Sequence, residues 1–277
     1  MKSRNPTEKT VLRWIKQGYG QGWGLAYKPF FYIRDIPSDG RSTALEGLKI
    51  PRTHHYFSDV EYHYHLLAEY SDEVIEIREQ YALLPYEETK LIADRLRIAH
   101  PIYSATKAQR VITSDLVLSV KRGDEVFLVV LCCKVASDVD PSNPEAARTL
   151  EKILLEKVYW EARNAEWRLV TDKMLPENKV HNLDFFRGSM VSWERDYLNS
   201  KIADFVQTAL AIWNDCISLN DLLVTASLQL NLDRDECFCL LGRSIWTKAL
   251  PVDLDSGKFD HEDKLPLLIA LEATCFN

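Results

Sequence analysis

The sequence predicts an α/β domain over residues 1–175, followed by a mostly helical domain over residues 176–277. Three observations predict it. Val111–Val120 and Val126–Val135 are rich in Val, Ile and Leu and flank Lys121-Arg122-Gly123-Asp124, a turn composition, so they read as a β-hairpin. Patterns with helical spacing lie on either side of that hairpin, with a further strand after the second of them. From residue 176 the strand signals thin out and short helical patterns replace them.

Length and composition set the outer bounds. A chain of 277 residues can bury a large core, and 46% hydrophobic with 27% charged residues is the balance of a water-soluble globular protein. No apolar run reaches membrane-spanning length, and the start, Met1-Lys2-Ser3-Arg4-Asn5-Pro6, lacks the apolar centre of a secretory signal, so a cytoplasmic location without a membrane is expected. The six cysteines have no C-x-x-C spacing, which favours reduced, mostly buried thiols, Cys275 among them. A net charge of −7 argues against a general nucleic-acid binder. The charge is unevenly spread. Lys2, Arg4, Lys9, Arg13, Lys16, Lys28 and Arg34 stand against Glu8 alone in the first 34 residues, and Asp255, Asp260, Glu262, Asp263 and Glu272 gather in the tail. A basic arm of this kind either touches phosphates or is a solvated terminus.

In chain order, Glu8–Gln17 is a short helix with Val11, Leu12 and Ile15 on one side. Gly18-Tyr19-Gly20-Gln21-Gly22-Trp23-Gly24 is an irregular segment; it lacks the Lys-Ser/Thr of a P-loop and the preceding strand of a dinucleotide fingerprint. Tyr27–Ile33 is strand-like and residues 36–42 form a turn. Ser58 starts a helix, and Ser58-x-x-Glu61 is a capping box that by itself explains Glu61. His54, His55, His63 and His65 lack the i, i+3 or i, i+4 spacing that helix-borne zinc ligands need. Asp72–Ile77 is a short strand leading into Arg78-Glu79-Gln80, and residues 86–110 read as a mobile connection. Asn143 and Pro144 begin a long helix whose buried stripe is Leu150, Ile153, Leu154 and Val158, with Glu156 facing out. Trp167–Thr171 is the last strand of the domain.

Register decides what the hairpin can do. A two-residue loop at Gly123-Asp124 sets Arg122 opposite Glu125 and Asp115 opposite Cys132. Cys132 and Lys134 then share a face with Asp115, whereas a slip of one residue would separate them. A carboxylate and a lysine so placed are an arrangement that metal-dependent nucleases use. The order helix, strand, hairpin, helix, strand is that of restriction-endonuclease-like PD-(D/E)XK folds. In the second domain, Ile202–Trp213, Asn220–Gln229 and Cys237–Leu241 are helices, and Ile245-Trp246-Thr247 with Pro251-Val252-Asp253 form a β-wing, which together suggest a winged-helix-like, partner-docking domain.

Several stretches resemble the TnsA family, the endonuclease subunits of Tns-type heteromeric bacterial transposases. They are Gly20-Gln21-Gly22-Trp23-Gly24, Asp35-Ile36-Pro37-Ser38, His54-His55 with Ser58-Asp59-Val60-Glu61, Ile77-Arg78-Glu79-Gln80 with Leu83-Leu84-Pro85, Ser114-Asp115, Arg148-Thr149-Leu150-Glu151-Lys152, Tyr159-Trp160, Trp167 and Thr171-Asp172-Lys173. The resemblance implies a DNA endonuclease that cuts the 5′ side of each transposon end. A TnsB-like DDE transposase would cut the 3′ side, and a TnsC-like ATPase regulator would contact the C-terminal region. It implies Glu61, Asp115 and Lys134 as catalytic residues, and Mg²⁺, for which Mn²⁺ can substitute, held by Glu61, Asp115 and the Cys133 carbonyl. The family pattern has Gln two residues before the lysine, where this chain has Cys132. A thiol is a poor ligand for a hard cation, so water or the Cys133 carbonyl would take that place. Two other readings stay open: a stand-alone restriction or repair nuclease of the same fold, and an assembly subunit whose site has decayed.

Overall fold

The computed structural model describes residues 5–35, 41–191 and 193–268, which divide into two compact units, residues 1–175 and 176–277. Lys2, Arg4, Glu272, Cys275 and most of the turn expected at 36–42 lie outside the described residues.

In the first unit, helix α1 (Glu8–Lys16) is N-capped by Thr7 and buries Val11 and Trp14. Leu12, expected on the inner side, is 47% exposed, because Trp14 sets the helix phase instead. Tyr27–Ile33 is not a strand. Its Phe30 and Phe31 pack into a cluster with Val11 and Trp14. A small antiparallel pair that the sequence did not reveal, β1 (Thr43–Glu46) and β2 (Thr53–Tyr56), comes next. Helix α2 (Asp59–Tyr70) starts at its Ser58 cap.

The main sheet has the order β3-β4-β5-β6, with β3 (Val74–Ala82), β4 (Thr113–Arg122), β5 (Glu125–Lys134) and β6 (Glu166–Thr171). Strand β3 is longer than expected and carries Arg78, Glu79 and Gln80 within it. The hairpin register is the one the turn dictates: Arg122 pairs with Glu125 and Leu116 with Leu131, and Gly123 supplies the left-handed residue (φ 63°). Strand β6 runs parallel to β5, and a parallel neighbour needs a crossover, here α4 (Ala146–Glu161).

Residues 86–110 are not merely a connection, since Tyr86–Leu96 form helix α3. Its start signals, Pro85 ahead of Glu87 and Glu88, are present, but Arg97 in a left-handed conformation ends it where a glycine is the usual marker. Helices α3 and α4 cover the sheet through Ile92, Ala93, Leu155, Tyr159 and Trp160, packed with Val117 and Val130. Helix α4 begins two residues after Pro144, and its phase is rotated from the expected stripe: Leu154 is exposed, whereas Ile153, Leu155, Glu156, Tyr159 and Trp160 are buried.

The second unit holds α5 (Glu177–Val191), α6 (Ile202–Ile212), α7 (Leu219–Leu230) and α8 (Arg234–Trp246). The mostly helical expectation agrees with this; the wing does not. Ile245 and Trp246 belong to α8, which continues through Gly242 to bury both, and Val252 makes only an isolated bridge with Leu267. Gly242 does not end that helix. It lets α8 approach α5, where a Cβ would stand 2.4 Å from the Ser189 hydroxyl.

A buried ion pair fixes β2 to β3. Glu79, fully buried, accepts from both Arg52 terminal nitrogens at 2.7 and 2.6 Å and bonds to His54 Nδ1 at 2.9 Å. Burial opposes its charge, but Arg52 and His54 hold the Glu79 carboxyl down at about 2. Arg52→Met would leave the buried Glu79 carboxylate with His54 as its remaining charged partner and should cost about 3–5 kcal/mol in urea unfolding, with part of the loss recovered when Glu79→Gln is added.

Candidate active site

Glu61 sits in the first turn of α2 because Ser58 caps that helix. The Ser58 hydroxyl accepts from the Glu61 N–H at 3.2 Å and donates to Glu61 Oε1 at 3.0 Å. The carboxylate reaches back past the cap to the Phe57 N–H at 3.1 Å. Ser58 thus caps the helix, but the Glu61 carboxyl bonds the Phe57 N–H and the Ser58 hydroxyl and not the Ser58 N–H that a full capping box requires, and this holds it, buried, in the lining of a cleft of about 510 Å³. Glu61, Asp115, Cys132, Lys134 and Glu156 all line that cleft.

Asp115 and Lys134 meet across the hairpin. Asp115 Oδ2 accepts from Lys134 Nζ at 2.7 Å and from the Cys133 N–H at 2.8 Å, and Lys134 Nζ also donates to the Cys133 carbonyl at 2.8 Å. Asp115 Oδ1 has no hydrogen bond among the described residues. Burial alone would discharge the lysine, but the Asp115 carboxylate holds its pKa well above the usual value. Burial first, and then the charge of Asp115, push the Glu61 carboxyl up to about 8.

Two residues of the cleft escaped the sequence reading. Glu156, expected to face out, is 5% exposed, and burial followed by the charge of Asp115 raises its carboxyl to about 7. Ser114 and Cys132 hydrogen-bond it, yet Glu156 Oε1 has no partner. The signal was available: phasing α4 on the aromatic pair Tyr159-Trp160 rather than on its leucines turns Glu156 inward. The second is Gln80, which takes a left-handed backbone (φ 49°) inside β3. Its amide donates to Glu61 Oε2 at 3.4 Å and accepts from the Thr113 hydroxyl at 3.2 Å. A bulky residue in that conformation is strained, and such strain gathers where side chains must be aimed.

Cys132 is fully buried, and burial, followed by Glu156, pushes its thiol well above the usual range, so it stays protonated. It is no thiolate ligand. The histidines serve structure: His54 bonds Glu79, and His65 Nδ1 lies 2.5 Å from the Tyr56 hydroxyl. Among the described residues no three His, Cys, Asp or Glu side chains form a ready-made metal cage. The donor set is nonetheless suited to a hard cation. Mg²⁺ takes one or two carboxylates and keeps waters, and the cleft offers a free Asp115 oxygen, a buried and unpartnered Glu156 oxygen, and Glu61. No helix among the described residues is long and apolar enough to cross a membrane.

Residues 71–172 match the family model described as TnsA-like endonuclease N terminal. Asp115, Lys134 and Glu156 lie within that match, and Glu61 precedes it. The chain is also 34% identical over 184 residues to the Transposon Tn7 transposition protein TnsA of Escherichia coli, a match covering 65% of this chain and 62% of that relative. The first unit has the mixed sheet and flanking helices of a restriction-endonuclease-like domain, and both matches make the chain similar to TnsA-type proteins, over less than two thirds of that relative's length.

Proposed function

We propose that this chain is the metal-dependent DNA endonuclease subunit of a heteromeric transposase. It would cut the 5′ strand at transposon ends beside a TnsB-like DDE transposase, with a TnsC-like ATPase as regulator. The observation that carries the reading is the convergence of Glu61, Asp115 and Lys134 on one cleft, from three elements far apart in sequence. Similarity to TnsA supports the transposase setting.

In this reading Asp115, Glu61 and the Cys133 carbonyl hold Mg²⁺, and Glu156 supplies a further carboxylate. The bound ion would lower the pKa of a water and act as a Lewis acid on the phosphodiester. The protein's own groups do the rest. Lys134, kept charged by Asp115, places an ammonium where charge grows on the phosphoryl oxygens. Gln80 and the Phe57 N–H fix the Glu61 carboxylate, so little reorganisation is needed there. The products are a 3′-hydroxyl and a 5′-phosphate. Cys132 favours a second reading, an assembly subunit that has lost cleavage, because a protonated thiol stands where a family Gln is expected.

Strand-mapped cleavage of a labelled transposon-end duplex, with Mg²⁺ and the cognate transposase, separates the two. Wild type should cut the 5′ side, and Asp115→Ala should lower the rate by more than about 100-fold while assembly on DNA persists. Assembly without any cut by wild type would establish the second reading. Cutting without the transposase would point to a stand-alone nuclease.

The raised carboxyl pKa values make a second expectation. Glu61 and Glu156 bind protons more tightly in the folded state than in the unfolded chain, where the ordinary value is 4.5. The stability this gives is complete below that value and is lost as pH rises through about 7 for Glu156 and about 8 for Glu61. Melting in EDTA should therefore show Tm falling between pH 5.5 and 8.5. Glu61→Gln with Glu156→Gln should flatten the profile, and added Mg²⁺ should raise the wild-type Tm more as pH increases, since the ion displaces those protons.

A further inference from the structure

The cleft contains two cations that this chemistry leaves unused. Lys152, on α4 one turn before Glu156, and Arg110, in the segment leading to β4, both line it. Lys134 is committed to Asp115. Arg148 is committed to Glu151 at 2.5 Å and to the Ala99 carbonyl at 2.6 Å. Arg110 lies over the Tyr103 ring, 6.0 Å from its centroid. Among the described residues neither Arg110 nor Lys152 forms an ion pair, although Asp138 also reaches the cleft.

The surroundings of Lys152 are positive. Burial first, and then Arg148, Arg110 and Lys134, lower its pKa. Cations left unpaired close to one another repel, and an anion between them removes the cost. Deeper in the same cleft Asp115 already takes up the charge of Lys134, so that lysine has little left to attract an entering phosphodiester. Arg110 and Lys152 are the cations at the cleft that remain available to a phosphate.

We propose that Arg110 and Lys152 together seat a DNA backbone phosphodiester next to the one being cut, setting the register of the strand in the cleft. The ligand named here rests on the nuclease reading. Both residues are exposed, as a seat for a polyanion must be. Their joint position, one from α4 and one from the segment before β4, would clamp the backbone from two elements.

The test uses the full chain carrying Asp115→Asn, which allows binding to be read without cutting. Its affinity for a labelled duplex is measured over a range of KCl concentrations with Ca²⁺ present. Lys152→Gln and Arg110→Gln should each make the slope of log K against log salt shallower by about 1, and the pair by about 2. Lys157→Gln, on the same helix but paired with Glu161 outside the cleft, should leave it unchanged. In a second arm the duplex carries one neutral methylphosphonate, moved position by position. At one position it should weaken the parent and leave the Arg110/Lys152 double variant unaffected. Unchanged slopes, no such position, or no duplex binding overturns the seat. Cleavage by the chain with Asp115 intact is scored separately. Cutting with unmoved slopes removes the seat alone; shallower slopes with no cutting under any partner condition remove the nuclease reading and leave the phosphate seat.

Discussion

One ammonium stands among three carboxyl groups, and the first unit is arranged so that this is tolerable. Lys134 neutralises Asp115 directly, while Glu61 and Glu156, both buried, keep protons that water would have removed. Each partner comes from a different element, so the balance requires all of them. The α2 cap holds Glu61, the β4–β5 register brings Asp115 to Lys134, and the phase of α4 turns Glu156 inward. The cleft thus stores protons on two acids beside one compensated ion pair. Within that balance Glu156 Oε1 is the one of these carboxyl oxygens that is buried without a hydrogen-bond partner among the described residues.

The sequence made the hairpin legible because its evidence was local. Gly123-Asp124 between two β-rich runs fixes loop length, loop length fixes register, and register puts Asp115 and Lys134 on one face. Glu61 was legible through its cap. What stayed hidden depended on tertiary packing. The phase of α4 was drawn from leucines, whereas the aromatic residues Tyr159 and Trp160 win the core because they bury more surface and Trp160 donates to Ser114 at 2.8 Å. Helix α3 lacked a glycine stop. The β1–β2 pair is held by Arg52 and His54 on Glu79, partners that are far apart in sequence. In the second unit the wing was read from β-prone residues that instead extend α8, since Ile245 and Trp246 find a buried place along its helical face.

Cys132 and Glu156 are best understood together. The thiol hydrogen-bonds the carboxyl and, being buried and protonated, offers no charge of its own. Any acceptor that a longer amide would have brought to this point from the strand is available from the helix, through the free oxygen of Glu156. The departure at one position is thus accompanied by an oxygen donor at a neighbouring one.

The turn at Gly123-Asp124 lies at the far end of the hairpin from the cleft. Gly123 is eight positions along the chain from Asp115, roughly 26 Å at the usual rise per strand residue. Lys121, Arg122, Gly123 and Asp124 are exposed there. A fluorophore or affinity handle spliced between Gly123 and Asp124 would leave the paired strands intact, because their register is also held by β3 on one side and β6 on the other. The hairpin that builds the site therefore also carries, at its opposite tip, a position from which the protein's assembly could be watched.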